Sequence, residues 1–466
     1  ELAPAALPIG KGFAAAARTP DRLRFVALSR GIVPRRTGED EGPSITLIAA
    51  TPEPAIVDRY ELSDPLSRIA MDPESRFAVA YPAPGDGNFV HNPNELVVVD
   101  LDRAPAPDNP VEISLRSFGG SPERMTFTQP LALPGGERRL LIVQTDRDVA
   151  LVDLQDLTLP EVTIPLTSGP QPLAPAAVAV SDGALDRNDD ARIAIRIADH
   201  PNVIVVDLLP VPPEETSPQT YRALPNVIFV GGVPSDVAFV QTDGGLRLAA
   251  LVPSIQALTL VDPTTGIASE IALDAPFDRI SLVTSIVGAG EDGSDVALLW
   301  STMSPKIAFV ALGSTVGKPY ASIERLELSE PVASVLEVPA PNAHLKILHS
   351  ASGSSLFVLD VRDRTAAPIE SSQSNTEITL APAGNRAWIS AAGEELAQLD
   401  LLSLHPVNLL LSRRIDAVFE VTRDNGGRAL VALHGSGALG ATVLDADQPS
   451  LASAREYFGL LLGGLP

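Results

Sequence analysis

A short apolar run ending in aspartate recurs along this chain at a nearly regular step, and that repeat limits the possible folds more than any local pattern does. It reads Leu-Val-Val-Val-Asp to Asp100, Val-Ala-Leu-Val-Asp to Asp153, Val-Ile-Val-Val-Asp to Asp207 and Leu-Thr-Leu-Val-Asp to Asp262. It continues to Asp360, Asp400 and Asp445, with degenerate copies ending at Ala49 and Ala311. The endpoints lie about 40 to 55 residues apart, the span of one repeated supersecondary unit.

A second feature keeps phase with the first. Ahead of most runs sits a tight turn, then a basic residue, then another apolar strand. Asp72-Pro-Glu-Ser-Arg76, Pro134-Gly-Gly-Glu-Arg138, Thr242 to Arg247, Pro382 to Arg386 and Arg423 to Arg428 are examples. Gly, Asn and Asp supply the positive φ that hairpin turns require. A further apolar strand precedes each turn, as in Ser235 to Val240 and Ile415 to Val421, and a more polar one follows the aspartate. Candidates for that outer strand are Val111 to Leu115, Val162 to Leu166, Ile267 to Leu273 and Ile323 to Leu328. Four antiparallel strands per repeat make the blade of a β-propeller. The 43 prolines and 34 glycines, spread along the whole chain, agree with many short strands and turns. The expected fold is therefore all-β: a single closed β-propeller domain over 1–466, with eight or nine four-stranded blades and seven also open. The blades are expected near 12–62, 67–115, 123–166, 173–224, 235–273, 279–328, 333–371, 376–410 and 415–461. Pairing of 456–462 with N-terminal strands is the expected closure, because a ring must remove its last open edge.

The turn-Arg-strand followed by a Val-x-Val-x-Asp strand resembles the YVTN-type repeats of seven-bladed propellers. That WD40-like group includes lactonase-like and quinoprotein-dehydrogenase-like rings. The resemblance spans nearly the whole chain and implies the fold; its motifs are structural and imply no particular reaction. The chain departs from the group in its long, irregular blades and in their number.

Composition narrows the function classes. The formal net charge is −24, so the surface repels phosphate backbones and anionic headgroups, and nucleic acid is not an expected partner. There is no cysteine, which excludes disulfides, thiol catalysis, Cys-based zinc and Cys-x-x-Cys-His haem attachment. Aromatic residues make up 4%, leaving a core of Val, Leu, Ile and Ala and few rings on which sugars could stack. No apolar run approaches the roughly 20 residues of a membrane-spanning helix. The absence of cysteine and the opening Glu1-Leu-Ala-Pro without Met point to an exported, periplasmic or cell-surface protein, with any signal or lipid-anchor (lipoprotein) segment outside the sequence.

Candidate sites lie in the insertions, since loops on a rigid scaffold are free to vary. Five stand out: 29–43, 82–94, 182–192, 208–219 and 288–295. Within the third, Asp186, Asn188 and Asp190 match the D-x-[DN]-x-[DN] opening of a calcium loop, which sets oxygen ligands on one side of a turn. Ala191 stands where that loop needs Gly, and Ile197 where it needs a bidentate Glu, so the motif is half complete and a solvated hairpin is the competing reading. The histidines, His91, His200, His344, His349, His405 and His434, lack paired metal-ligand spacing. Trp300 and Trp388 sit singly in strands, better suited to packing than to stacking a cofactor. No nucleophile elbow, P-loop or dinucleotide fingerprint occurs. The recurring aspartate reads either as a turn former or as one member of a carboxylate ring at a channel mouth. A non-catalytic binding or scaffold propeller of the bacterial cell envelope or surface, meeting other envelope proteins, is the favoured function. A lactonase-like or metal- or cofactor-dependent enzyme with its site at the channel mouth is the alternative.

Overall fold

A computed structural model describes residues 9–21, 23–32, 41–49, 56–86, 90–115, 120–166, 173–181, 191–242, 244–283, 295–313, 322–350, 355–370, 377–381, 383–390, 393–422, 426–434 and 440–458. Among these the fold is an all-β propeller of nine four-stranded antiparallel blades, with no α-helix. Within each blade four strands pair in chain order, so the first–second and third–fourth turns share one end. The second–third loops and the links between blades share the other. Two compact units divide the chain: 1–228 with 463–466, and 229–462.

The first unit holds blades 1 to 4, over 13–61, 68–114, 122–165 and 175–229, the last strand (Tyr221–Phe229) ending at the boundary. The second holds blades 5 to 9, over 236–272, 279–327, 332–370, 377–410 and 417–458. The degenerate repeats ending at Ala49 and Ala311 are full blades: Ser44–Ala49 and Lys306–Ala311 each pair on both sides.

Two local expectations are corrected. The turn at Pro134 to Arg138 does not join the first two strands of blade 3. It closes an inserted hairpin, Leu131–Leu133 with Gly136–Arg138, and the second strand begins afterwards at Leu140. Leu131 and Leu133 are buried against Ile204, Leu208 and Tyr221 of blade 4, so the apolar pattern that read as a blade strand is a plug over the neighbouring blade. The second correction concerns 456–458. They belong to Arg455–Phe458, the fourth strand of blade 9, where Tyr457 faces Ala441, while the four strands of blade 1 all come from 13–61.

The core lies between successive blades, and this explains why middle strands read as unbroken apolar runs. In blade 2, Ala78, Ala80, Val97 and Val99 pack toward Val26, Leu28, Ile45 and Leu47 of blade 1. Phe77, Val79, Leu96 and Val98 take the opposite face, against Leu141, Val143, Ala150 and Val152 of blade 3. Side chains alternate sides along a strand, and here both sides are dry. The second unit repeats the device: Ala308 and Val310 pack toward blade 5, Ile307 and Phe309 toward blade 7. Each such Val or Leu contributes about 1.5–3 kcal/mol by leaving water. Outer strands have one wet face and alternate accordingly, as in Val111–Ser114.

Candidate binding face

The recurring aspartate is a turn former. Its Oδ1 accepts the amide two residues on, and commonly the third as well. Asp153 takes Gln155 at 2.8 Å and Asp156 at 3.2 Å, Asp262 takes Thr264 at 2.9 Å and Thr265 at 3.1 Å, and Asp400 takes Leu402 at 3.1 Å and Ser403 at 2.7 Å. Asp100, Asp360 and Asp445 do the same. Asp207 differs, because its strand runs on to Pro210. The basic residue of the turn keeps phase for a physical reason: the start of the second strand lies opposite the end of the third. Arg192 pairs with Asp207 and Arg386 with Asp400 in register, and Arg76 sits one residue before the Phe77–Asp100 pair. Arg76, Arg192 and Arg247 thereby reach Asp100, Asp207 and Asp262 at 3.2, 2.6 and 3.5 Å, and Arg138, at the end of the inserted hairpin, reaches Asp153 at 3.3 Å.

The opposite end of the first unit carries a different chemistry. Insertions 29–43 and 82–94 are the second–third loops of blades 1 and 2, so they emerge on the same end of adjacent blades. Gly31 at φ +69° turns the first loop; a Cβ there would lie 2.6 Å from the Glu41 carbonyl oxygen, so only glycine fits. Arg59 anchors Glu41 from the fourth strand. In the second loop, buried Asp86 accepts the Ala83 amide at 2.7 Å and meets Arg30 of the first loop at 3.4 Å. That ion pair ties the bases of the two loops together.

His91 is the most sharply defined polar group on this face. Asp64, in the link between blades 1 and 2, accepts its backbone N–H at 2.9 Å, and its Oδ1 lies 2.6 Å from the imidazole Nδ1. The Asp64 side chain is 2% exposed and that of His91 is 90% exposed. A buried carboxylate thus fixes a ring that stands in water. In the neutral form Nδ1–H donates to Asp64 and Nε2 is presented outward. The hydrogen bond to Asp64, its charge, and then Glu95 hold the His91 imidazole above its ordinary value. Burial, followed by the Glu112 and Asp64 carboxylates, pushes the Glu95 carboxyl up as well. An Nε2 held by a carboxylate at Nδ1 can accept or donate a hydrogen bond, or act as a general base.

Of the residues singled out in the sequence, Asp186, Asn188 and Asp190 lie outside the described residues, in the link between the first two strands of blade 4. Insertion 208–219 joins the third and fourth strands of the same blade, and 288–295 joins the first two strands of blade 6, with 288–294 outside the described residues. Among the described residues no three His, Asp or Glu side chains converge to hold a metal ion. His434 is buried, its ring nitrogens on the Arg414 carbonyl and the Thr442 hydroxyl, and Nδ1 of His200 accepts the Asn202 amide. Trp300 and Trp388 are both buried. No helix among the described residues is long and apolar enough to cross a membrane.

Sequence reasoning missed two groups. Asp64 carries no signal of its own, since its partner stands 27 residues away. Glu420, on the first strand of blade 9, accepts the Trp388 indole N–H at 2.8 Å and two Arg386 nitrogens at 3.2 Å. Arg386 also reaches Asp447 at 2.8 Å, so this cluster locks blade 8 to blade 9.

No family model matches the chain, and no curated protein matches it. Its path is similar to several solved structures at low identity. Dihydro-heme d1 dehydrogenase NirN, in complex with DHE, is 14% identical with a TM-score of 0.49, over 87% of this chain and 76% of that one. Sqt1 of Saccharomyces cerevisiae is 10% identical, TM-score 0.43, over 91% and 93%. Streptogramin B lyase is 14% identical, TM-score 0.39, over 70% and 92%. The likeness concerns the fold alone.

Proposed function

We propose that the chain is a non-catalytic binding or scaffold propeller of the bacterial cell envelope or surface, engaging other envelope or surface proteins through the loop end of blades 1 and 2. One observation carries this reading: two inserted loops from adjacent blades, tied at their bases by Arg30–Asp86, with His91 held outward by Asp64. Side chains already held in place, as His91 is by Asp64, lose little entropy on binding, which favours recognition. A photo-cross-linking residue at position 91, compared with one at exposed Leu451, tests it in the source cells. One dominant protein adduct from position 91 is expected, and none from 451. Adducts from 451 with none from 91 would end the proposal.

The His91–Asp64 geometry also favours a second reading, a lactonase-like hydrolase in which Nε2 activates water. Hydrolysis of a simple lactone that His91→Gln abolishes, with folding intact, would support the enzyme over the scaffold.

A further inference from the structure

We propose that blade 7 carries a guanidinium-binding slot at Asp360, filled from outside the chain. In blades 2, 4 and 5 the repeat aspartate holds an arginine from at or beside the start of its own second strand, at 3.2, 2.6 and 3.5 Å, and in blade 3 it holds Arg138 of the inserted hairpin at 3.3 Å. Blades 8 and 9 also place an arginine there, Arg386 and Arg428. Blade 7 does not. Leu345 stands opposite Asp360, and His344 precedes it as Arg76 precedes Phe77 in blade 2. The nearby Lys346 is turned away, buried against Glu337 on the first strand.

Three further observations meet at this place. Asp360 spends Oδ1 on the Arg362 and Asp363 amides at 2.9 and 3.2 Å, and it has no ion pair among the described residues. The His344 Nδ1 is buried with no hydrogen-bond partner among the described residues. A cavity of about 270 Å³ opens between them and the next blade, lined by His344, Leu345, Asp360, Thr365, Leu401 and Leu404 among others. That volume suits a side-chain-sized ligand rather than a large cofactor.

The lining specifies the occupant. Leucines suit an alkyl shaft, the second Asp360 oxygen suits a cation, and the imidazole offers an acceptor. A guanidinium fits better than an ammonium, since its planar fork satisfies a carboxylate and a second acceptor together, as Arg247 does with Asp262 and the Leu246 carbonyl. The source is either a free alkylguanidine or the arginine of a partner protein. The slot lies in the second unit and does not depend on the loop-end reading.

Calorimetric titration of n-butylguanidinium into the whole chain tests the proposal. Saturable binding at about 1 mM is expected, with none for n-butanol. Asp360→Asn keeps the Oδ1 acceptor, and hence the turn, while removing the charge; it should weaken binding roughly tenfold or more. His344→Arg places a guanidinium where Arg76 sits in blade 2, and should abolish binding without lowering the unfolding temperature. A short arginine peptide binding at least about tenfold tighter than n-butylguanidinium identifies a protein partner's side chain; equal or weaker binding identifies a small alkylguanidine. No saturable signal from either probe, or equal affinity for wild type and Asp360→Asn, overturns the slot.

Discussion

Glu420 is 1% exposed; it accepts hydrogen bonds from Arg386 and the Trp388 indole of blade 8 and lies 3.7 Å from Arg428 of its own blade. Removing the carboxylate leaves the buried indole N–H unpaired and the buried Arg386 guanidinium with Asp447 as its remaining partner. Glu420→Ala should therefore cost about 3–5 kcal/mol in urea unfolding, far more than loss of a surface ion pair; a cost within the surface range would mean that water reaches Arg386. His91 supplies a second prediction at this scale. Its folded pKa is raised by Asp64, so the contact stabilises the fold fully below the ordinary histidine range and loses its effect as pH rises through the folded pKa. Side-chain NMR titration should place the His91 midpoint above 6.5, and Asp64→Asn should bring it down. An unmoved midpoint in the variant would refute the pairing. Neither group was legible beforehand. The sequence showed a lone histidine in an inserted loop and a carboxylate among 58 acidic residues, and nothing local says that residues 27 apart will touch.

Among the elements, the hairpin over 131–138 is the most instructive. Its turn, Pro-Gly-Gly-Glu-Arg, and its flanking apolar residues meet every criterion for an ordinary blade turn. Register decided otherwise: Leu131 pairs with Arg138, and the true second strand of blade 3 pairs Leu141 with Phe127. The local pattern was right and the partner wrong. Because Leu131 is 1% exposed against Tyr221, Leu131→Ala should cost about 2–5 kcal/mol through the cavity it leaves. Thermal unfolding measures it, and a neutral result would mean that the hairpin is a dispensable flap. By contrast the turn aspartates were legible because their bonds are local, spanning two or three residues, and the same geometry recurs wherever the sequence does.

At the scale of each unit, every inter-blade core among the described residues is shared by two neighbours, so a blade depends on the one packed beside it. Blade 9 covers Trp388: Val418, Leu430 and Leu444 pack in one cluster with it, and Glu420 holds its N–H. A chain ending at residue 410 should show red-shifted tryptophan emission and early loss of the blade 8 strands in hydrogen exchange; an unshifted spectrum would contradict nearest-neighbour stabilisation. The net charge of −24 acts at the same scale, opposing association with polyanions whatever the loops present.

The amino-acid sequence by itself determined the repeat, the four-strand blade, the buried middle strands and the aspartate turns. These follow from apolar runs buried on both faces and from hydrogen bonds a few residues long. Tertiary structure decided the rest: that the 131–138 hairpin plugs the neighbouring blade, that insertions 29–43 and 82–94 share one end with His91 braced on Asp64, and that a cavity replaces the arginine of blade 7. Each of these depends on which distant side chains face one another, and that is set only when blades stack and strands choose their register.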